Sequence, residues 1–101
     1  MRVAQNPGQR FLAEWYQTAL FDASMGDVAG RLIDQAAAAR LRGTEVSVVL
    51  TVTSPLDEMV FGLFRAETAE AVWRVCRDAG YIPDRVTGGV SAYIAADGPV
   101  V

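Results

Sequence analysis

Hydrophobic and polar positions along the chain fall into two similar halves, each with a strand-like run, a helix with a clear stop and a second strand-like run. In the first half, residues 11–20 read as a strand, a helix ends near Gly43, and a strand follows over 45–53. Phe11, Ala13 and Trp15 alternate with Leu12, Glu14 and Tyr16, so one strand face is wholly apolar and the other carries one carboxylate and one phenol. Both faces are expected to be at least partly buried. After Phe21, the oxygens of Asp22, Ser24 and Asp27 suit a helix start somewhere from Asp22 to Asp27, where acids also meet the positive end of the helix dipole. Val28, Leu32, Ala36 and Ala39 then fall on one side, with Arg31 and Asp34 off it. Gly43 follows Arg40 and Arg42 as a stop.

The second half repeats this grammar. Residues 45–53 are β-branched nearly throughout, residues 54–58 read as a turn, and residues 59–66 form the next strand, which predicts a hairpin at the sheet centre. A second helix starts at Glu67 or Thr68, with Ala69, Val72, Trp73, Cys76 and Ala79 as its inner stripe. It stops at Gly80, and Pro83 prevents its resumption. Residues 85–94 supply the last strand, where Gly88 and Gly89 predict a bulge or a close backbone approach. The order β-α-β-β-α-β is the split arrangement of ferredoxin-like α+β domains: a four-stranded antiparallel sheet with two helices on one face. The predicted domain spans residues 10–95, after an arm over 1–9 and before a tail over 96–101. Val46, Val48 and Leu50 with Val49, and Phe61 and Leu63 with Val60 and Phe64, place apolar side chains on both sheet faces. Something must therefore cover the face opposite the helices.

Composition narrows the function classes. A single domain of 101 residues buries only about 60–65% of its unfolded surface by folding alone, so self-association would add burial. No apolar run approaches the roughly 18 residues of a membrane span, and no membrane role is expected. Residues 1–10 are polar with two Arg and lack the apolar core of a secretory signal, and the single Cys cannot form an internal disulfide, so a cytoplasmic location is expected. The net charge is −3 and the nine basic residues, all Arg, are spread over the chain, so no nucleic-acid partner is expected. The absence of His removes Ser-His and Cys-His pairs, imidazole metal ligands and the usual general base near neutral pH. The absence of Lys removes Schiff-base chemistry.

Phe61-Gly62-Leu63-Phe64-Arg65-Ala66-Glu67-Thr68 with the following Ala-Glu-Ala-Val, and Ala79-Gly80-Tyr81-Ile82-Pro83-Asp84-Arg85-Val86, resemble a small domain-of-unknown-function family of ferredoxin-like proteins that includes nickel-binding members. Phe11-Leu12-Ala13-Glu14-Trp15-Tyr16 is similar to that family's opening strand. The resemblance implies a dimeric α+β barrel in which two sheets face each other. Family members often carry one His on the second helix and another just after its terminal Gly, and this chain has Cys76 and Tyr81 there. A lone thiolate without imidazoles is a poor basis for a nickel site, so neither metal nor cofactor is expected.

Glu14 and Tyr16 are the candidate catalytic pair. Glu14 is either solvated or ion-paired, with Arg85 or Arg65 as partner, or else enclosed. An enclosed carboxylate tends to hold its proton and serves acid–base work near neutral pH. Tyr16 either orients a ligand oxygen or packs as a core aromatic. Trp15, Trp73, Cys76, Tyr81 and Arg85 are the candidate ligand-binding residues, with Cys76 on an inner stripe reading first as a small hydrophobe. The expected function is a homodimer that holds a small, mostly apolar molecule in a cleft between helices and sheet. A cofactor-independent isomerase or monooxygenase of the dimeric α+β barrel type and a pure assembly domain are the alternatives. An enclosed cavity touching Glu14 favours ligand or enzyme, and a filled core favours assembly.

Overall fold

The computed structural model describes residues 9–16 and 25–91. In chain order the elements are β1 (Gln9–Trp15), α1 (Met25–Leu41), β2 (Val46–Ser54), a 3-10 turn (Pro55–Asp57), β3 (Met59–Ala66), α2 (Ala69–Asp78) and β4 (Arg85–Gly88). The sheet runs β2-β3-β1-β4 with every neighbouring pair antiparallel. This is the ferredoxin-like α+β fold. The arm over 1–8, residues 17–24 of the expected first strand and helix start, and residues 92–101 of the last strand and tail lie outside the described residues. No helix among the described residues is long and apolar enough to cross a membrane.

Both helices end as their glycines dictate. Gly43 (φ 92°) and Gly80 (φ 91°) take the left-handed conformation that costs glycine nothing. The Gly43 amide donates to the Arg40 carbonyl and the Thr44 amide to that of Ala39, both at 3.0 Å. Gly80 and Tyr81 repeat the pattern onto Arg77 and Cys76 at 2.9 Å. These paired bonds form the Schellman closure, which satisfies carbonyls a helix end leaves open. At the start of α2, the Thr68 hydroxyl accepts from the Ala71 amide at 3.2 Å.

The core lies between the helices and one sheet face. Phe11, Ala13 and Trp15 of β1 and Val60, Phe64 and Ala66 of β3 meet Val28, Leu32, Ala36 and Ala39 of α1, all buried. The α1 stripe is the one its spacing predicts. The α2 stripe is rotated from expectation: Ala71, Val72, Val75, Cys76 and Ala79 are buried, whereas Trp73 stays 38% exposed. Trp73 lies one position beyond Val72, about 100° around the helix and off the buried stripe.

One further expectation is corrected. The β2–β3 hairpin is not central, because β1 inserts beside β3 and leaves β2 at the sheet edge. The irregularity lies in β2, where the register shifts between Val48 and Leu50. At Gly88 the expected close approach is present: a Cβ there would sit 3.0 Å from Phe11 Cε2.

Candidate functional site

Strand alternation places the sheet's second face opposite the core. Cross-strand partners share a face, and the register sets two adjacent rows across it: Leu50, Leu63, Leu12 and Thr87, then Val52, Phe61, Glu14 and Arg85. Leu63 is buried yet belongs to no part of the core cluster. Around it on this outer face, Leu12, Leu50 and Phe61 are half-buried and Val52 is 46% exposed. At one end of the face, Arg10 of β1 stands directly across from Arg65 of β3, with Ser47 beyond it on β2.

Glu14 and Tyr16 meet on this face. The Tyr16 hydroxyl donates to Glu14 Oε1 at 2.6 Å, since residues two apart on a strand point the same way. Arg85 stands across from Glu14 on β4. The hydrogen bond to the carboxylate raises the Tyr16 pKa above its ordinary value and desolvation adds to it, while the Arg85 guanidinium pulls the other way. The phenol therefore holds its proton firmly and acts as a hydrogen-bond donor at neutral pH. Asp84 completes the group: its carboxylate accepts the Tyr16 backbone amide at 2.7 Å, and its own amide donates to the Glu14 carbonyl at 2.8 Å. Asp84 was not a candidate from the sequence, because its partners lie 68 and 70 positions away and only sheet pairing joins them.

The other candidates do not join this cluster. Trp15 is fully buried on the core face and its indole Nε1 donates to the Tyr81 carbonyl at 3.0 Å, an anchor between β1 and the end of α2. Cys76 is also fully buried, and desolvation pushes its thiol up to about 12, so it sits as a protonated small hydrophobe. Tyr81 is half-buried against the core, with the Arg31 guanidinium carbon 5.9 Å from its ring centre. Trp73 is 38% exposed and outside the core cluster. The cleft expected between helices and sheet is filled by Trp15, Phe64, Leu32, Val28 and Val72, none more than 1% exposed. An open groove of about 690 Å³ on the helix side is lined by Gly26, Asp27, Gly30, Arg31, Asp34 and Tyr81, across the sheet from Glu14.

The fold has a solved counterpart. The crystal structure of SCO4226 from Streptomyces coelicolor A3(2) matches with a TM-score of 0.57 at 21% sequence identity, covering 82% of this chain and 99% of that one. At that identity the likeness concerns the fold alone. No protein-family model matches the chain, and no curated protein matches it. Among the described residues, no group of three or more Cys, Asp or Glu stands where it could hold a metal ion.

Proposed function

We propose that this chain is a self-associating module in which two copies pack sheet face on sheet face. The observation that carries the reading is the outer face itself: Leu12, Leu50, Leu63, Val52 and Phe61 form one contiguous apolar band that contributes nothing to the protomer's core. Four strands about 4.8 Å apart and seven residues at about 3.4 Å span roughly 19 by 24 Å. That footprint, about 460 Å² before side-chain relief, stays below the roughly 800 Å² per partner of a standard interface even when the whole face is used. A dimer of micromolar strength is therefore expected, and sedimentation equilibrium over that range tests it. Val52 is exposed in the protomer, so Val52→Glu is expected to leave the fold intact and shift the equilibrium to monomer. A wild-type chain that stays monomeric at high micromolar concentration would defeat the reading.

A second reading is favoured by the Tyr16–Glu14 bond beside Arg85. These groups form a polar edge on an apolar band, suited to a small, mostly apolar molecule with one carbonyl or hydroxyl oxygen. Tyr16 and Arg85 would donate to that oxygen and Glu14 would accept a proton, as an isomerase or monooxygenase would need. A thermal-shift screen of small aromatic ketones and phenols tests this: a stabilising compound whose effect vanishes in Glu14→Gln supports it, and a uniformly inert panel leaves assembly as the function. Kinship with the ferredoxin-like family that includes nickel-binding members is proposed on residues 61–72 and 79–86 together with the shared fold.

A further inference from the structure

We infer that the two sheets meet about a twofold axis running across the strands through the Leu50–Leu63–Leu12–Thr87 row, so that each protomer's Arg10 reaches its partner's Glu14. This rests on the self-association reading and fixes its register. Two in-plane twofold axes bring identical sheet faces together with their strands aligned, and the charges on the face decide between them.

Arg10 and Arg65 are direct cross-strand neighbours, a like-charge pair that destabilises a sheet unless a counter-charge reaches it. Among the described residues neither has an ion pair. An axis along the strands would lay β1 of one protomer over β3 of the other at the same height. Arg10 would then face the partner's Arg65, and four guanidiniums would crowd together in a drying interface. An axis across the strands instead lays each strand over itself with its ends exchanged. Arg10 and Arg65 lie one row from the leucines on one side, and Glu14 and Phe61 lie one row away on the other. Exchanging the ends puts Arg10 over the partner's Glu14 and Arg65 over the partner's Phe61, giving one opposite-charge contact and one cation–π contact, each made twice. Arg85 falls over the far end of the partner's β4, which stops at Gly88, so it meets no third arginine. The central leucines then pack on their own copies. Each Glu14–Tyr16–Arg85 cluster is completed by an arginine of the other chain.

Thr87 provides the probe, because it is half-buried on the outer face at the β4 end of the leucine row. In the inferred register Thr87 faces its own copy, whereas with the axis along the strands it faces the partner's Leu50. Thr87→Cys alone is expected to give covalent dimer with a short bis-maleimide, the Cys76 thiol being buried. The charge arm uses sedimentation equilibrium at low salt: Glu14→Arg is expected to weaken the dimer by roughly tenfold or more, and adding Arg10→Glu to recover most of it. Circular dichroism checks that each variant is folded. Cross-linking only in the Thr87→Cys/Leu50→Cys double variant, or a Glu14→Arg dimer as tight as wild type, would overturn the register while leaving self-association standing. A wild-type chain that never dimerises would overturn both.

Discussion

Gly62 lies on the core face of β3, paired with Ala13, and its missing side chain is the floor on which two aromatic rings rest. A Cβ at this position would stand 3.1 Å from Phe64 Cε1, 3.1 Å from Trp15 Cζ3 and 3.2 Å from Trp15 Cη2, all closer than a comfortable carbon contact. Two effects oppose each other in Gly62→Ala. Removing backbone freedom from the unfolded chain favours Ala by about 0.5–1 kcal/mol in a strand. Forcing a methyl into a filled core costs about 1–3 kcal/mol. The overpacking cost wins here because neither ring has room to yield: Trp15 and Phe64 are both 0% exposed, and the indole is tethered to the Tyr81 carbonyl at 3.0 Å. The expected net loss is about 1–2 kcal/mol, or a fall in Tm of about 4–15 °C for a domain of this size. Gly30 is the control, since a Cβ there meets nothing within 4 Å in the middle of α1. Gly30→Ala is expected to gain up to about 1 kcal/mol. Urea denaturation followed by circular dichroism, at one fixed protein concentration, measures both. A Gly62→Ala protein as stable as wild type would show that the rings do not rest on this glycine and would refute the packing account.

Three further outcomes follow from the same geometry. Cys76, buried and with its thiol raised to about 12, is expected to resist alkylation at pH 8 until the protein is denatured, with mass spectrometry as the readout. Because the folded thiol stays protonated where the unfolded one ionises, its contribution to stability is intact below about pH 8.5 and falls above it by up to about 1.4 kcal/mol per pH unit; fast labelling of native protein would contradict both statements. Glu14→Gln weakens the hydrogen bond to the carboxylate and removes its charge, both of which raise the Tyr16 pKa, so the Tyr16 hydroxyl is expected to titrate lower, as followed by NMR of labelled tyrosine rings, and an unmoved titration would dissolve the Glu14–Tyr16 pair. Thr68→Ala removes the α2 cap and is expected to cost about 1 kcal/mol in urea denaturation, while Thr68→Ser recovers most of it.

The order of elements was legible in the sequence because it rests on local physics. Alternation in residues 11–16, helical spacing of Val28, Leu32, Ala36 and Ala39, and the stops at Gly43 and Gly80 each act within a few residues. The structure places β1, α1 and both Schellman closures accordingly. Both sheet faces also read correctly as apolar. Orientation was harder wherever neighbours compete for one stripe: Trp73 and Val72 both fit the spacing of α2, and the structure buries Val72 while leaving Trp73 38% exposed.

Glu14, Tyr16 and Arg85 were named from the sequence, but a strand reading places Glu14 and Tyr16 on one face without saying which face the helices cover. That was decided by the whole layer: the face with Phe11, Ala13 and Trp15 accepts both helices, and Glu14 is left on the other. Asp84 joined the cluster, and Trp15, Cys76 and Tyr81 left it, through contacts spanning most of the chain. The sequence by itself determined the order of the elements, their glycine stops and the apolar character of both sheet faces, since propensity and periodicity are properties of short segments. Only the tertiary structure decided the strand order β2-β3-β1-β4, the filled helix–sheet layer and the outward setting of Glu14, because each depends on which distant segments exclude water together.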